Sequence, residues 1–88
     1  KEDVHFSARR LLNYGLVNEA FKFYKYNYNK YPKEMMTNVG MARAYSAMGD
    51  YNKATVYIKT ALPLATDDAD KENIETMRKK LERGININ

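Results

Sequence analysis

Cysteine and tryptophan are absent from this 88-residue chain, histidine occurs once, proline twice and glycine four times. Without cysteine there is no disulfide, no thiol nucleophile and no thiolate metal site. The single histidine, His5, has no acid or nucleophile partner near it in sequence, which points to a surface or packing role rather than catalysis. No apolar run approaches the roughly 18 residues that a membrane-spanning helix needs, and no signal-peptide pattern opens the chain. Glycine-rich phosphate loops, zinc spacings and nucleophile motifs are missing too. Asp67, Asp68 and Asp70 lack the glycine and closing glutamate of a calcium loop, and read instead as helix-capping residues. The expectation is a chain that is not an enzyme and has no cofactor and no metal.

What remains is the composition of a small folded domain: 44% hydrophobic and 30% charged residues, enough for one modest core. Absence of cysteine fits any compartment, so localisation is left open. The chain opens on Lys1 rather than Met, from which we expect a piece of a longer protein. Its net charge of +4 sits entirely in residues 1–44, while residues 45–88 are neutral. Lys22, Lys25, Lys30 and Lys33 point in different directions on any helix, so a solvated basic surface is favoured over dedicated nucleic-acid binding.

Sliding the sequence on itself by 34 residues aligns Gly15 with Gly49, Ala8 with Ala42, Arg9 with Arg43 and Ala20 with Ala54. Leu11 then falls on Tyr45, Tyr14 on Met48, Asn18 on Asn52 and Tyr24 on Ile58. A fixed period of this length marks a helical repeat. Helical spacing of Val4, Ala8, Leu11 and Leu12, and of Val39, Ala42, Tyr45 and Met48, predicts a first helix in each unit. Gly15 and Gly49 suit the left-handed position that ends it. Second helices are expected over 17–30 and about 51–62, with Asp50 as an N-cap. Pro32 should stop the first of these and Pro63 end or kink the other, three residues out of register. In 66–84, Asp67 or Asp68 caps a helix with an Ile74, Met77 and Leu81 stripe, acids at its start and Arg78, Lys79, Lys80 and Arg83 at its end. Gly84 should terminate it.

The segment FKFYKYNYNKYP, residues 21–32, belongs to the first unit's second helix. As a strand its alternation breaks at Tyr24; as a helix it puts Ala20, Phe21, Tyr24, Tyr28 and Tyr31 on one face. Phe23 and Tyr26 are left roughly opposite, and Tyr57 repeats the position of Phe23. Together these three form a candidate outer-surface interface.

Two such units resemble the tetratricopeptide repeat family. The second carries the pattern best, in Met41, Ala42, Tyr45, Gly49, Asp50, Tyr51, Ala54, Ile58, Ala61 and Leu62. The first has Ala8, Leu11, Gly15, Ala20, Tyr24, Tyr28 and Pro32, with Asn27 where the family has a small residue. The early tryptophan is absent from both. Residues 13–32 followed by 41–54 also look like short repeat tails attached to larger bacterial enzymes, esterase-like hydrolases among them. The resemblance implies an all-α domain over 1–88, a short right-handed solenoid. Its repeats would cover 1–34 and 35–68, with a capping helix at 69–84 whose outer side is polar.

It also implies a protein–protein interaction module, whose first helices line a groove for a peptide or protein surface. Groove positions map to His5, Arg9, Leu12 and Asn13, then to Met36, Val39, Gly40, Arg43, Ser46 and Ala47. Arg9 and Arg43 recur one repeat apart, about 10 Å from each other on neighbouring helices, and paired guanidiniums suit an acidic partner. The family's clamp for C-terminal carboxylates is missing. It needs Lys and Asn where this chain has His5 and Arg9, Asn at Gly40, and basic residues at Asp70 and Ile74. The alternative is an appendage that docks on an upstream catalytic domain of the same chain, or that pairs with a second copy.

Overall fold

The computed structural model describes residues 2–88, with side chains from Ala8 onward. Among them lie five α-helices and no strand: α1 (Glu2–Asn13), α2 (Val17–Lys30), α3 (Met35–Ala47), α4 (Tyr51–Ala61) and α5 (Asp68–Glu82). A 3-10 turn, Leu62–Leu64, joins the last two. The all-α expectation holds.

Local chemistry sets the ends of these helices. Asp50 accepts a hydrogen bond from the Lys53 amide at 3.2 Å and Asp67 one from the Asp70 amide at 2.7 Å, each cap contributing about 1 kcal/mol. Asp67, not Asp68, is therefore the cap of α5. The first helix pair turns at Gly15 (φ 77°) and the second at Gly49 (φ 79°). Around each, the same bonds form. Gly15 N–H reaches Leu12 O at 3.0 Å and Leu16 N–H reaches Leu11 O at 2.9 Å; Gly49 N–H reaches Ser46 O at 3.0 Å and Asp50 N–H reaches Tyr45 O at 2.9 Å. The pattern returns after α5, where Gly84 N–H reaches Leu81 O at 3.0 Å and Ile85 N–H reaches Lys80 O at 2.9 Å. These close the open carbonyls of each helix end.

Of the two outcomes expected of Pro63 the structure shows an end rather than a kink: α4 stops at Ala61 and the proline sits inside the 3-10 turn, where its missing N–H costs nothing. One expectation needs correcting: Tyr31 does not join the buried face. It lies just past the end of α2 with non-helical φ and ψ, and its ring is exposed.

Helices adjacent in sequence pack on one another, and α1 also touches α3. The molecule measures 29 × 27 × 18 Å, so its thin direction holds about two helix diameters. Apolar side chains gather in two clusters. Ala8, Ala20, Tyr24, Met41 and Ala44 fill the space between α1, α2 and α3. Val39, Ala42, Ala54, Ile58, Ala61, Ala65, Ile74 and Leu81 fill that between α3, α4 and α5. Helix α3 supplies residues to both.

Gly40 sets how closely α2 and α3 approach. A Cβ there would stand 2.5 Å from Cδ1 of the buried Tyr24 ring, too near for any real contact. Gly40→Ala should therefore lower stability by about 1–3 kcal/mol, the usual cost of overpacking. Lys53→Ala, on the exposed side of α4, should change it by less than about 0.5 kcal/mol. Urea melts of the two variants check this, and equal midpoints would mean that the α2–α3 contact is loose.

Candidate functional site

Helix α3 is buried around almost its whole circumference, polar residues included: Thr37, Asn38, Arg43 and Ser46 all lie inside. Buried polar groups must find partners or cost stability. The Thr37 hydroxyl and the Asn38 amide nitrogen find theirs in the turn before the helix, while Asn38 Oδ1 has none among the described residues. The Thr37 hydroxyl meets the carbonyls of Tyr31 and Glu34, and Asn38 Nδ2 donates to Pro32 O at 3.1 Å and Glu34 O at 2.8 Å. These two side chains hold the turn between the helix pairs, so their role is structural.

Arg43 is different. Only 9% of its surface is exposed, its Nε has no acceptor, and among the described residues no carboxylate pairs with it. Burial, and then the positive charge of Arg9, pull its pKa down, while Tyr24 opposes them weakly. Burial pushes the Tyr24 phenol up to about 12, against the lowering influence of Arg43 and then Arg9. Two guanidiniums and a phenol thus stand within electrostatic reach, with no negative charge among them. An anion is the ligand that such a group can hold, since guanidinium forks match carboxylate oxygens.

The other sequence candidates are placed less uniformly. Arg9 and Asn13 are exposed, and Leu12 and Met36 half-buried. Val39 points into the apolar cluster under α4 and α5 rather than into a groove. Ser46 is buried and already engaged. The side chain of His5 lies outside the described residues. Gly40 serves the helix contact described above.

What covers Ser46 is the segment after α5. The Ser46 hydroxyl donates to Asn86 Oδ1 at 2.9 Å and accepts from the Ile87 amide at 3.0 Å, and Asn88 Nδ2 donates to Arg43 O at 2.8 Å. Ile87 packs against the apolar cluster of α3, α4 and α5. Residues 85–88 therefore lie along the Arg43–Ser46 side of α3. Sequence reasoning passed over this segment. Its signal was the alternation Ile85, Asn86, Ile87, Asn88, two apolar residues interleaved with two hydrogen-bonding ones.

The outer-surface trio does not stay together. Phe23 and Tyr26 are 44% and 54% exposed. Tyr57, by contrast, is drawn inward and stacks on Tyr45 (centroids 5.6 Å apart, 15° between planes). It meets Tyr28 edge-on at 5.4 Å, and Phe21 meets Tyr45 the same way at 5.3 Å. Position alone made Tyr57 the counterpart of Phe23; the presence of α2 beside it partly covers it.

Among the described residues no helix is long and apolar enough to cross a membrane, and no three His, Asp or Glu side chains come together as metal ligands. No family model, curated protein or solved structure matches the chain.

Two outcomes are expected from these contacts. Tyr57→Ser should lower stability by about 1–3 kcal/mol, because it removes a ring with partners on both sides; an unchanged urea midpoint would contradict the ring cluster. The Tyr24 phenol ionises near its ordinary value of 10.0 when unfolded but only near about 12 when folded. The unfolded state therefore releases its proton first as pH rises. The stability due to the neutral phenol is complete below about pH 10 and is lost toward pH 12, on the order of 2 kcal/mol. Tyr24→Phe should flatten this part of the stability–pH curve, and parallel curves for the two proteins would refute the burial effect.

Proposed function

We propose that the chain is a non-enzymatic protein-interaction module of the tetratricopeptide type, a short right-handed solenoid of two helix pairs closed by α5. Support for the repeat comes from the glycine turns, whose hydrogen bonds recur at the 34-residue interval between Gly15 and Gly49 with matching lengths. In this reading its partner is an acidic peptide segment, gripped by Arg9 and Arg43. Residues 85–88 hold the Ser46 end of α3, so the segment lies toward Arg9 and α1.

The observation that carries the reading is Arg43, nine-tenths buried, with no carboxylate paired to it among the described residues. A charge kept out of water and unpaired costs stability. A fold that needed only packing there would be served by an apolar residue of similar length. A carboxylate arriving in a partner would supply the missing charge and acceptor.

Arg43→Met separates binding from stability. Its unfolding free energy from urea melts should rise by on the order of 1 kcal/mol, because the buried charge is gone. Its affinity for a Glu/Asp-rich peptide, measured by fluorescence anisotropy, should fall about tenfold or more, the scale of a charged hydrogen bond. Arg9→Gln should weaken binding as well while leaving the midpoint nearly unchanged, since exposed charges contribute little. Unaltered peptide affinity in both variants would sink the acidic-partner reading.

A further inference from the structure

Residues 86–88 lie on α3 beside Arg43, and they are held there lightly. The Ser46 hydroxyl donates to Asn86 Oδ1 and accepts from the Ile87 amide, and Asn88 Nδ2 donates to the Arg43 carbonyl at 2.8 Å. The apolar anchor is Ile87, half-buried against the cluster of α3, α4 and α5, while Asn86 and Asn88 are exposed. A segment with so little buried surface and such exposed polar contacts opens readily. Ile85 sets the point at which it parts from the fold. The Ile85 amide closes the end of α5 on Lys80 O at 2.9 Å, so the chain beyond it can leave α3 without disturbing that helix.

The same contacts indicate what takes the segment's place. Asn86 Oδ1 accepts from the Ser46 hydroxyl and, at 3.0 Å each, from the backbone amide and Nδ2 of Asn88. An aspartate oxygen has the shape of this amide oxygen and is the stronger acceptor. A hydroxyl that serves Asn86 therefore serves an acidic residue of an incoming segment better. The distances are short. Ser46 follows Arg43 by three residues on α3, a rise of about 4.5 Å. An extended chain covers about 3.3 Å per residue, so a segment gripped at Arg43 meets residues 86–88 within about two residues.

We propose that residues 86–88 are a strap that competes with the acidic segment for the Ser46 end of α3. The strap is closed in the free chain and swings out when a segment bound at Arg43 runs on to Ser46. This rests on the acidic-partner reading and concerns the regulation of that same site. Asn86 holds the Ser46 hydroxyl as a neutral counterpart of the partner's carboxylate, and so keeps the groove shut against weaker ligands. A strap closed about nine-tenths of the time weakens a ligand that must open it about tenfold.

Fluorescence anisotropy with a labelled Asp-rich peptide of about ten residues, long enough to pass both Arg43 and Ser46, tests this on the 88-residue chain. Ile87→Ser removes the anchor and should tighten binding about tenfold. The pair Asn86→Ala and Asn88→Ala keeps the anchor and should shift affinity in the same direction, which guards against a folding defect in the first variant. Asn86→Asp should weaken binding about threefold or more, because a charged acceptor holds Ser46 harder. In the unaltered chain the Ile87 amide resonance should move toward its random-coil position as the peptide saturates the site. Peptide bound with equal affinity by all four proteins, or an Ile87 amide unmoved at saturation, overturns the strap and leaves the acidic-partner reading standing. Weaker binding by Ile87→Ser and by the double variant would make these residues part of the site, which overturns competition too. No binding by any of the four removes the acidic-partner reading and the strap with it.

Discussion

Everything in this molecule hangs on how one helix, α3, is shared between two cores. Met41 and Ala44 face the cluster with α1 and α2, while Val39 and Ala42 face the cluster with α4 and α5. A helix with neighbours on opposite sides must be narrow, and its sequence MMTNVGMARAYSA is correspondingly poor in bulk. Gly40 is the extreme case, lying where the Tyr24 ring leaves no room even for a methyl group. The aromatic side chains compensate from the flanking helices. Phe21, Tyr28 and Tyr57 reach inward around Tyr45 and fill what the small residues leave. Large-into-small packing of this kind ties the two cores into one cooperative unit.

A helix buried on most of its surface cannot keep its polar residues in water, and α3 meets this constraint in three ways. Thr37 and Asn38 turn back onto the carbonyls of the preceding turn. Ser46 takes its partners from residues 86 and 87, some 40 positions later in sequence. Arg43 lends its backbone carbonyl to Asn88, but its Nε finds no acceptor among the described residues. Among the described residues Asn38 Oδ1 and Arg43 Nε are both left without a partner, but only Arg43 carries a charge, and that sets it apart from its neighbours as a candidate for binding.

The architecture was legible in the sequence to the extent that it depends on local rules. Glycine at left-handed positions, aspartate at helix starts and the charge gradient along α5 each have a short-range cause, and the five helices follow from them. Side-chain environment proved harder to read, because a period equates positions without equating their surroundings. Tyr57 and Phe23 are equal by register. Among the described residues only Tyr57 has a helix pair on its earlier side, so that ring is partly covered while Phe23 stays exposed. Val39 and Ser46 were assigned to a groove by the same reasoning. Both fail for lack of information about α5 and the segment beyond it, which pass over those faces of α3. Arg9 and Arg43 were paired from register alone, and the structure leaves one exposed and the other buried. The depth at which Arg43 sits could not be inferred from spacing.

The return of residues 85–88 to α3 also bears on the order in which the chain assembles. The largest helix–helix contacts here join elements adjacent in sequence, with α1–α3 and the Tyr28–Tyr57 contact of α2 with α4 reaching one helix further, and such local topologies form quickly. The hydrogen bonds from Ser46 to Asn86 and from Asn88 to Arg43 cross separations of 40 and 45 residues, and so close the largest loops among the side-chain bonds described. Loop-closure entropy places them late. A nascent chain extending only to Gly84 holds all five helices, yet the Ser46 hydroxyl is still without Asn86 and Ile87. Docking of these four residues is then a finishing step. It contributes little to the folding barrier and slows unfolding, as interactions absent from the transition state do.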